Sequence, residues 1–184
     1  MPRIEPLSPP YDSQTAAHLA AMTPPGVDPI RLFRTFAVNL PMAEAMLPLG
    51  RYELGRKLSI TLRQREILID RTCARCGCEY EWGVHVAHLA DRAGLTPEQV
   101  TSLTSGGPSD PCWDSDVERM LIRAADELHD RSDISDELWG KLAGHFDQAQ
   151  LLDIVLLCGW YHTICFIATA ARVTLEDGAP RFVS

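Results

Sequence analysis

"TLRQREILIDRTCARCGCEYEWGVHVAHLADR", from Thr61 to Arg92, decides the fold of this chain. Its first half repeats at intervals of four, three, four and three residues, the spacing of one helical face, at Leu62, Glu66, Ile69, Cys73 and Cys76. Thr61 is expected to cap this helix and Gly77 to end it. A second helix is predicted from about Cys78 to Arg92. The stretch therefore predicts two consecutive helices joined by a short turn.

Helical patterns continue on both sides of this stretch. A proline-rich, irregular arm with one short helix around Ser13 to Met22 precedes it. Three prolines are expected to divide the next segment into helices of about two to three turns: Pro29, Pro41 and Pro48. Downstream, Thr96 begins a capping box, Ser135 caps another helix, and "DQAQLLDIVLLCGWYHTICFIATAARV" forms a long apolar helix. Alternating strand patterns and internal repeats are absent, so the predicted class is all-α.

The composition argues against several classes of function. The 184 residues carry a formal charge of −8, whereas nucleic acids and anionic membranes are bound by clustered lysine and arginine. A small molecule or a protein is the expected partner. "MPRIEPLSPPYDSQ" has no apolar segment behind a basic start, so we expect no secretory signal and a cytoplasmic location. There the six cysteines are expected to be reactive, metal-bound or buried thiols rather than disulfides.

One segment is apolar enough to raise the question of a membrane span. Eighteen residues from Ile154 to Ala171 pass without a formal charge, near the lower limit of length for a spanning helix. Asp153 and Arg172 close the segment tightly, and His162 lies at its centre. No other segment resembles a span. A buried core helix or a subunit interface of a soluble protein is the preferred interpretation.

A group of titratable side chains shares one face of the second predicted helix. Cys78, Glu81, His85 and His88 are spaced three, four and three residues apart. The helix N-terminus favours the thiolate form of Cys78. Glu81 can orient the imidazole of His85, which can then exchange a proton with the thiol or with a substrate.

Glu66 joins this group from the preceding helix. A carboxyl group on an otherwise apolar stripe must be paired or carry a raised pKa. Either state suits a proton relay. The alternative is a structural salt bridge to an arginine such as Arg63 or Arg71.

Together, the residues in "REILIDRTCARCGCEYEWGVHVAHLADRAGLT" resemble the signature of carboxymuconolactone decarboxylase and alkylhydroperoxidase D (AhpD)-like proteins. Redox-active members carry a glutamate, twelve residues later the first cysteine of a Cys-x-x-Cys pair, and a histidine four residues after the second cysteine. Glu66, Cys78 and His85 keep this spacing. Glu81 stands where the second cysteine is expected, and the "CEYEW" arrangement resembles a "YEW" subgroup.

The resemblance covers residues 28–175 and implies a single-domain, AhpD-like helical bundle. Residues 1–27 are then an N-terminal arm and residues 176–184 a C-terminal tail. Members of the family assemble as trimers, hexamers or dimers, so a homo-oligomer is implied. No cofactor is implied.

The first functional hypothesis is a thiol-dependent peroxidase with an antioxidant role. Cys78 would attack a hydroperoxide, and the proton would be supplied by Glu66, Glu81 and His85. Because glutamate cannot form a disulfide, resolution would come from an external thiol or from a nearby cysteine, Cys76 or Cys73. The pocket is expected to be lined by Tyr80, Trp82, His88 and His162.

A second hypothesis is non-redox acid–base chemistry on a small organic acid or lactone, as in the decarboxylase branch of the family. Glu66, Glu81 and His85 would then transfer protons, and Cys78 would be incidental. The glutamate at position 81 favours this hypothesis.

Two further hypotheses are less favoured. "CARCGC" with His85, or a face of Glu81, His85 and His88, could hold a metal ion, but zinc sites usually pair two Cys-x-x-Cys motifs, and we expect no metal. In a non-catalytic protein the thiols would be small buried side chains. That interpretation is preferred for Cys158 and Cys165 in any case. Cys112 is expected in a loop, and three histidines are expected at the surface: His18, His129 and His145.

Overall fold

The structure is a computed structural model that describes residues 1–182, and within that range it is one domain of nine α-helices without a β-strand. The helices are α1 (Ser13–Met22), α2 (Arg31–Phe36), α3 (Leu40–Glu53), α4 (Leu62–Arg75), α5 (Glu79–Ala93), α6 (Pro97–Ser105), α7 (Asp116–Arg131), α8 (Asp136–Ala143) and α9 (Gln148–Ala171). A single 3₁₀ turn, Ala37–Asn39, joins α2 to α3. The all-α prediction is confirmed.

Helix α4 is the centre of the bundle. Thr61 and Gln64 form the capping box that begins it, each side chain accepting a hydrogen bond from the other residue's amide. Every residue from Arg65 to Cys73 is buried, so this part of α4 has no solvent face. Helices α5, α6, α7 and α9 pack around it. The polar groups that α4 carries into the interior therefore need partners on those helices.

The turn between α4 and α5 places Cys78 at a helix start. Cys76 caps the C-terminus of α4, and Gly77 has φ +63°, a left-handed conformation that glycine adopts without a clash from Cβ. The amide of Cys78 donates to the carbonyl of Cys73 at 2.9 Å, and Cys78 is the N-cap residue of α5. The predicted turn at Gly77 and helix start near Cys78 are confirmed.

Helix α9 is the long apolar helix anticipated from the sequence. By length and composition it could cross a membrane, but half of its most apolar window is buried inside the protein, and the core helix of a soluble protein passes the same test. Asp153 accepts hydrogen bonds from the Tyr52 hydroxyl at 2.5 Å and from the amide of Ser59 at 2.8 Å. These bonds tie α9 to α3 and to the loop before α4, as expected of a core helix.

The expectation that Pro48 ends a helix was wrong. Helix α3 continues through Pro48 to Glu53. Proline removes only one backbone donor from the helix, at a cost of about 3 kcal/mol. The buried side chains of Ala43 and Glu53 anchor the helix on either side of the proline. Tertiary packing therefore outweighs the local preference.

The two predicted helix caps downstream of α5 differ in outcome. Thr96 and Gln99 form the expected capping box of α6. Ser135 occupies the N-cap position of α8, but it makes no side-chain cap, and its hydroxyl donates to Glu127 at 3.2 Å. The Glu127 carboxylate on α7 thus takes the hydroxyl away from the local backbone.

The segment after α9 folds back against α5. Glu176 accepts a hydrogen bond from the Tyr80 hydroxyl at 2.5 Å. Phe182 packs against Trp82, with ring centroids 5.0 Å apart. The expected tail, 176–184, thus contacts α5 as far as Phe182, and its last two residues lie outside the described range.

Glu53 makes the stability of the fold depend on pH. It is completely buried, and neither carboxyl oxygen has a partner among residues 1–182. Burial, followed by the charge of Asp153, raises the pKa of Glu53 from 4.5 to about 7. The unfolded chain releases this proton near pH 4.5, so the folded protein loses stability as the pH rises from 4.5 through 7.

We expect Glu53→Gln to remove this loss. Relative to the parent protein, its free energy of unfolding should rise by on the order of 1 to 3 kcal/mol between pH 5 and pH 8, because the neutral amide has no proton to release. Urea denaturation at both pH values measures the difference. The exposed Glu5→Gln is the matched control. An effect of equal size at both pH values would contradict the assignment.

Candidate active site

Glu66 forms the centre of a buried charged network. Its Oε2 lies 2.7 Å from Nδ1 of His85, and its Oε1 accepts a hydrogen bond from Nε of Arg65 at 2.8 Å. Burial opposes ionisation, but the hydrogen bonds and charges of His85 and Arg65 together hold the pKa of Glu66 below its ordinary value. Glu66 is therefore a carboxylate that joins α4 to α5.

The arginines considered as structural partners of Glu66 pair elsewhere. Arg63 binds Glu118 at 2.5 Å, and Arg71 binds Asp126 at 2.7 Å. Both pairs lie between α4 and α7, because these arginines point to a different side of α4 from Glu66. We expected Glu66 either to be paired or to carry a raised pKa. It is paired, but its partners are Arg65 and His85 rather than Arg63 or Arg71.

His85 is the hub of the site. Its second nitrogen, Nε2, lies 3.0 Å from the Tyr161 hydroxyl on α9 and 3.6 Å from Oε1 of Glu81. Burial opposes the charged imidazolium, but the hydrogen bond to Glu66 and the nearby Glu81 carboxyl group raise the pKa of His85 to about 10. At neutral pH the ring is an imidazolium that donates to Glu66 through Nδ1 and holds a second proton toward Tyr161 and Glu81.

Tyr161 was not predicted as a site residue. It is buried, and burial, with the charges of Glu81 and Glu66, raises the pKa of its phenol well above the ordinary value. Its hydroxyl is therefore neutral and can accept the hydrogen bond from His85. In the sequence the tyrosine lies within an apolar helix, and no spacing rule connects it to His85, which is 76 positions away.

Cys78 lies at the start of α5 with 2% of its surface exposed. The neighbouring Cys165 thiol is the main cause that lowers the pKa of Cys78; burial opposes the shift, and the backbone at Glu81 supports it. Cys78 is the N-cap residue of α5, but its side chain makes no cap hydrogen bond. No hydrogen bond joins its sulfur to Glu66 or His85 within the described residues, and Glu81 lies between Cys78 and His85 along α5.

The other thiols around Cys78 divide into two environments. Burial raises the pKa of Cys73 to about 12, and its sulfur lies 3.7 Å from that of Cys165. The neighbouring sulfurs of Cys73, Cys76 and Cys78 together raise the pKa of Cys165, which remains a thiol and donates its hydrogen bond to Cys73. Cys165 was expected to be only a small buried side chain. Cys158, expected to be the same, is buried.

Cys76 differs from the expectation for a helix C-terminus. There the helix dipole disfavours a thiolate, but the Cys165 thiol, and then His162 and His129, lower the pKa of Cys76 to about 4 against the effect of burial. His129 is therefore not the surface residue that was expected. His18 is also buried, at 6% exposure, whereas His145 is exposed.

A cavity of about 450 Å³ opens above His85. Its walls are mostly apolar side chains of α1, α2, α3, α5 and α9, such as Leu32, Phe36, Met46 and Trp160. The polar groups that reach it from the site are those of Glu81, His85 and Tyr161. Cys78 is not among the lining residues.

The four residues expected to line the pocket are distributed differently. His88 lines the cavity and is exposed at its mouth. Tyr80 and Trp82 point to the other side of α5 and hold the C-terminal segment through Glu176 and Phe182. His162 lies beside Cys76 and His129, one position past the tyrosine that faces the cavity.

The fold and the site define a class of protein: an all-helical bundle with a cysteine at a helix N-terminus and a buried glutamate–histidine pair beside it. The sequence model of the carboxymuconolactone decarboxylase family matches residues 40–107, which span α3 to α6 and hold Glu66, Cys78, Glu81 and His85. Over these residues the chain is similar to the carboxymuconolactone decarboxylase family. No curated protein matches it at a significant level.

Several solved structures share the fold. An uncharacterized peroxidase-related protein from Silicibacter sp. TM1040 superposes with a TM-score of 0.80 at 16% identity, covering 98% of this chain and 96% of its own. A protein of unknown function from Agrobacterium tumefaciens, described as a candidate antioxidant defence protein AhpD, gives 0.68 at 20% identity over 77% and 95%. The debrominase Bmp8, as a cysteine-to-alanine variant in complex with 2,3,4-tribromopyrrole, gives 0.72 at 14% identity over 95% and 91%. The fold is thus shared with a protein described as peroxidase-related and with a debrominase.

We predict that Glu66→Gln lowers the pKa of His85 from about 10 to below neutrality. Without the carboxylate, burial of the imidazolium is no longer balanced by its strongest partner. Titration of the labelled imidazole by NMR measures the shift, with the exposed His145 as an internal reference. The matched control is Glu118→Gln, which breaks an ion pair of α4 outside the site. An unchanged His85 pKa in Glu66→Gln would show that the pair does not hold the proton.

Proposed function

We propose that this protein is a thiol-dependent peroxidase in which Cys78 is the attacking sulfur. The observation that carries the proposal is the position of Cys78 as the N-cap residue of α5, and the neighbouring Cys165 thiol lowers the pKa of Cys78 there. Such an environment stabilises the thiolate, the nucleophilic form of cysteine. The fold shared with peroxidase-related and AhpD-like proteins supports the same activity.

The attack converts Cys78 to a sulfenic acid. The thiolate bonds to the terminal oxygen of a hydroperoxide, the O–O bond breaks, and the sulfur is oxidised while the peroxide is reduced to an alcohol. The departing alkoxide needs one proton. The pair of Glu81 and His85 lies next along α5 and can supply it, because the imidazolium holds a proton toward Glu81. Glu66 and Tyr161 keep that imidazolium in place.

Cys165 is the proposed resolving thiol, ahead of Cys73 and Cys76. It keeps its proton and lies in the cluster of thiols around the α4–α5 turn, with its sulfur 3.7 Å from that of Cys73, and it lowers the pKa of Cys78. When it attacks the sulfenic sulfur, an S–S bond forms and the hydroxyl group leaves as water with the thiol proton. A small or protein thiol reductant then returns both residues to thiols. In this proposal Cys165 on α9 takes the resolving role that a cysteine at position 81 would have in a Cys-x-x-Cys pair.

Mass spectrometry after one equivalent of cumene hydroperoxide tests this assignment. The reduced parent protein is expected to lose two hydrogens and to show a Cys78–Cys165 disulfide in peptide mapping. Cys165→Ser should stop at a sulfenic acid on Cys78, trapped by dimedone, whereas Cys78→Ser should remain unmodified. Cys73→Ser should at most slow resolution.

The surface variant Cys112→Ser is the matched control and should behave as the parent. Peroxide reduction by Cys78→Ser at the parental rate would contradict the redox function. A disulfide that joins Cys78 to Cys73 or Cys76 would retain the peroxidase but overturn the role of Cys165.

Acid–base chemistry in the cavity is the second candidate function. It is favoured by one observation: the cavity is lined by Glu81, His85 and Tyr161, and not by Cys78. Its volume of about 450 Å³ and its apolar walls suit a small ring compound. The ligand of the Bmp8 complex, a halogenated pyrrole, belongs to that size class. A carboxylated lactone would place its acidic group beside the imidazolium.

Decarboxylation of a panel of small carboxylated lactones distinguishes the two functions. If the cavity performs acid–base chemistry, carbon dioxide release should persist in Cys78→Ser. It should fall by about 100-fold or more in His85→Gln, the typical contribution of a general acid. Equal loss in both variants, or no release by the parent protein from any compound of the panel, would contradict this candidate.

We also propose that the protein is a cytoplasmic homo-oligomer that uses a thiol reductant and binds neither nucleic acid nor membrane. The strongest support for self-association is the apolar outer face of α9, where Leu152 is 69% exposed and Phe166 is 65% exposed.

A further inference from the structure

Three helices converge on a cluster of nitrogen and sulfur ligands that the proposed reaction does not use. Cys76 caps the C-terminus of α4, His129 lies in the last turn of α7, and His162 lies in the middle of α9. One ligand atom from each residue lies within 4.8 Å of the other two. All three side chains are half-buried, so the cluster is anchored in the bundle but open to solvent on one side.

The distances fit the corners of a tetrahedral metal site. Nδ1 of His129 lies 3.1 Å from Nε2 of His162 and 3.8 Å from Sγ of Cys76. Around a tetrahedral zinc ion, two nitrogen ligands are about 3.3 Å apart, and a nitrogen and a sulfur are about 3.6 Å apart. These two distances lie within a few tenths of an ångström of the tetrahedral values, and the remaining pair, Cys76 and His162, lies within 4.8 Å.

The orientation of His162 supports metal binding independently. Its Nδ1 donates to the carbonyl oxygen of Cys158 at 2.8 Å, so the neutral ring carries its proton there and directs the lone pair of Nε2 into the cluster. Histidine ligands of metals commonly have this arrangement, in which the outer nitrogen donates to a carbonyl. The short contact between Nε2 and the His129 nitrogen then requires a proton or a cation between them.

Cys76 provides the negative charge that a metal ligand set of this kind needs. Cysteine binds metals as the thiolate, so a bound ion would take the place of the thiol proton of Cys76.

We propose that Cys76, His129 and His162 form a binding site for a divalent ion of the zinc class, with the fourth position open to solvent. One thiolate and two imidazoles are a borderline-soft set that suits zinc and its spectroscopic substitute cobalt. The ion would join α4, α7 and α9. This site is separate from Cys78 and from the cavity, and it does not depend on the peroxidase function.

Cobalt titration of the chelator-treated protein tests the site. We expect saturation at one equivalent, with the visible absorption of tetrahedral cobalt and a near-ultraviolet sulfur-to-cobalt charge-transfer band. Zinc should displace the cobalt. Cys76→Ser should lose the charge-transfer band, and His129→Gln and His162→Gln should each weaken binding at least about 10-fold.

Matched variants separate this site from the proposed reaction. Cys78→Ser, Cys112→Ser and His145→Gln should each retain the complete cobalt spectrum. A charge-transfer band that persists in Cys76→Ser but disappears in Cys78→Ser would overturn the proposal and assign the metal to the reactive thiol. The lack of any saturable tetrahedral spectrum in the parent protein would also overturn it.

A second measurement needs no variant and is therefore independent of folding defects. The parent protein is alkylated with iodoacetamide with and without one equivalent of zinc, and the modified cysteines are mapped. Zinc should slow the labelling of Cys76 at least about 10-fold, because the metal-bound thiolate is no longer free to react. Labelling of Cys112 serves as the reference. Equal labelling of Cys76 in both samples would overturn the proposal.

Discussion

The buried ion pair between Glu66 and His85 is the interaction on which the rest of the site depends. Neither charge could remain in the interior alone, because an isolated buried carboxylate or imidazolium would lose its hydration without compensation. Each helix of the α4–α5 pair therefore needs the other. Arg65 donates a hydrogen bond to the carboxylate of Glu66, and the hydroxyl of Tyr161 lies within hydrogen-bond distance of the imidazolium of His85. The pair thus sets how α4, α5 and α9 meet.

A buried ion pair of this kind is weak evidence for stability, since well-packed apolar side chains of the same volume often serve as well. The presence of this ion pair in the centre of the bundle is better explained by a role in proton transfer than by stability. The pair keeps a proton on His85 at neutral pH, and the second nitrogen presents that proton toward Glu81 and the cavity. A strongly perturbed group beside a cavity is a typical feature of an active site.

Local patterns in the sequence predicted that the chain is helical, and they predicted the two helices that carry the site, α4 and α5. The 3.6-residue repeat identified α4, Gly77 marked the turn, and the spacing of Cys78 and His85 put both on α5. Periodicity describes which face of a helix a residue shares, but it does not say which other helix will cover that face. Pro48 was misjudged for a related reason, because a local preference was overridden by tertiary packing.

Three additions from the structure come from α9. Tyr161, His162 and Cys165 lie within one turn and a half of this helix, yet they reach three different groups. Tyr161 meets His85, Cys165 meets the thiols at the α4–α5 turn, and His162 meets Cys76. In the sequence all three appear as interruptions of an apolar run, where a buried helix is the simplest interpretation. Only the packing of α9 along α4 shows which of these side chains contacts a functional group and which only fills the core.

The glutamate at position 81 has a physical consequence for how the site can work. A cysteine there would place a second sulfur one turn from Cys78 and close the redox chemistry within α5. Glu81 instead connects the imidazolium of His85 with the region around the thiol and also faces the cavity. The proton relay is thereby extended along α5, while the partner thiol is moved to Cys165 on α9. Redox exchange would then require α5 and α9 to approach each other, so the packing between these helices, rather than a motif within one of them, would govern the reaction of Cys78.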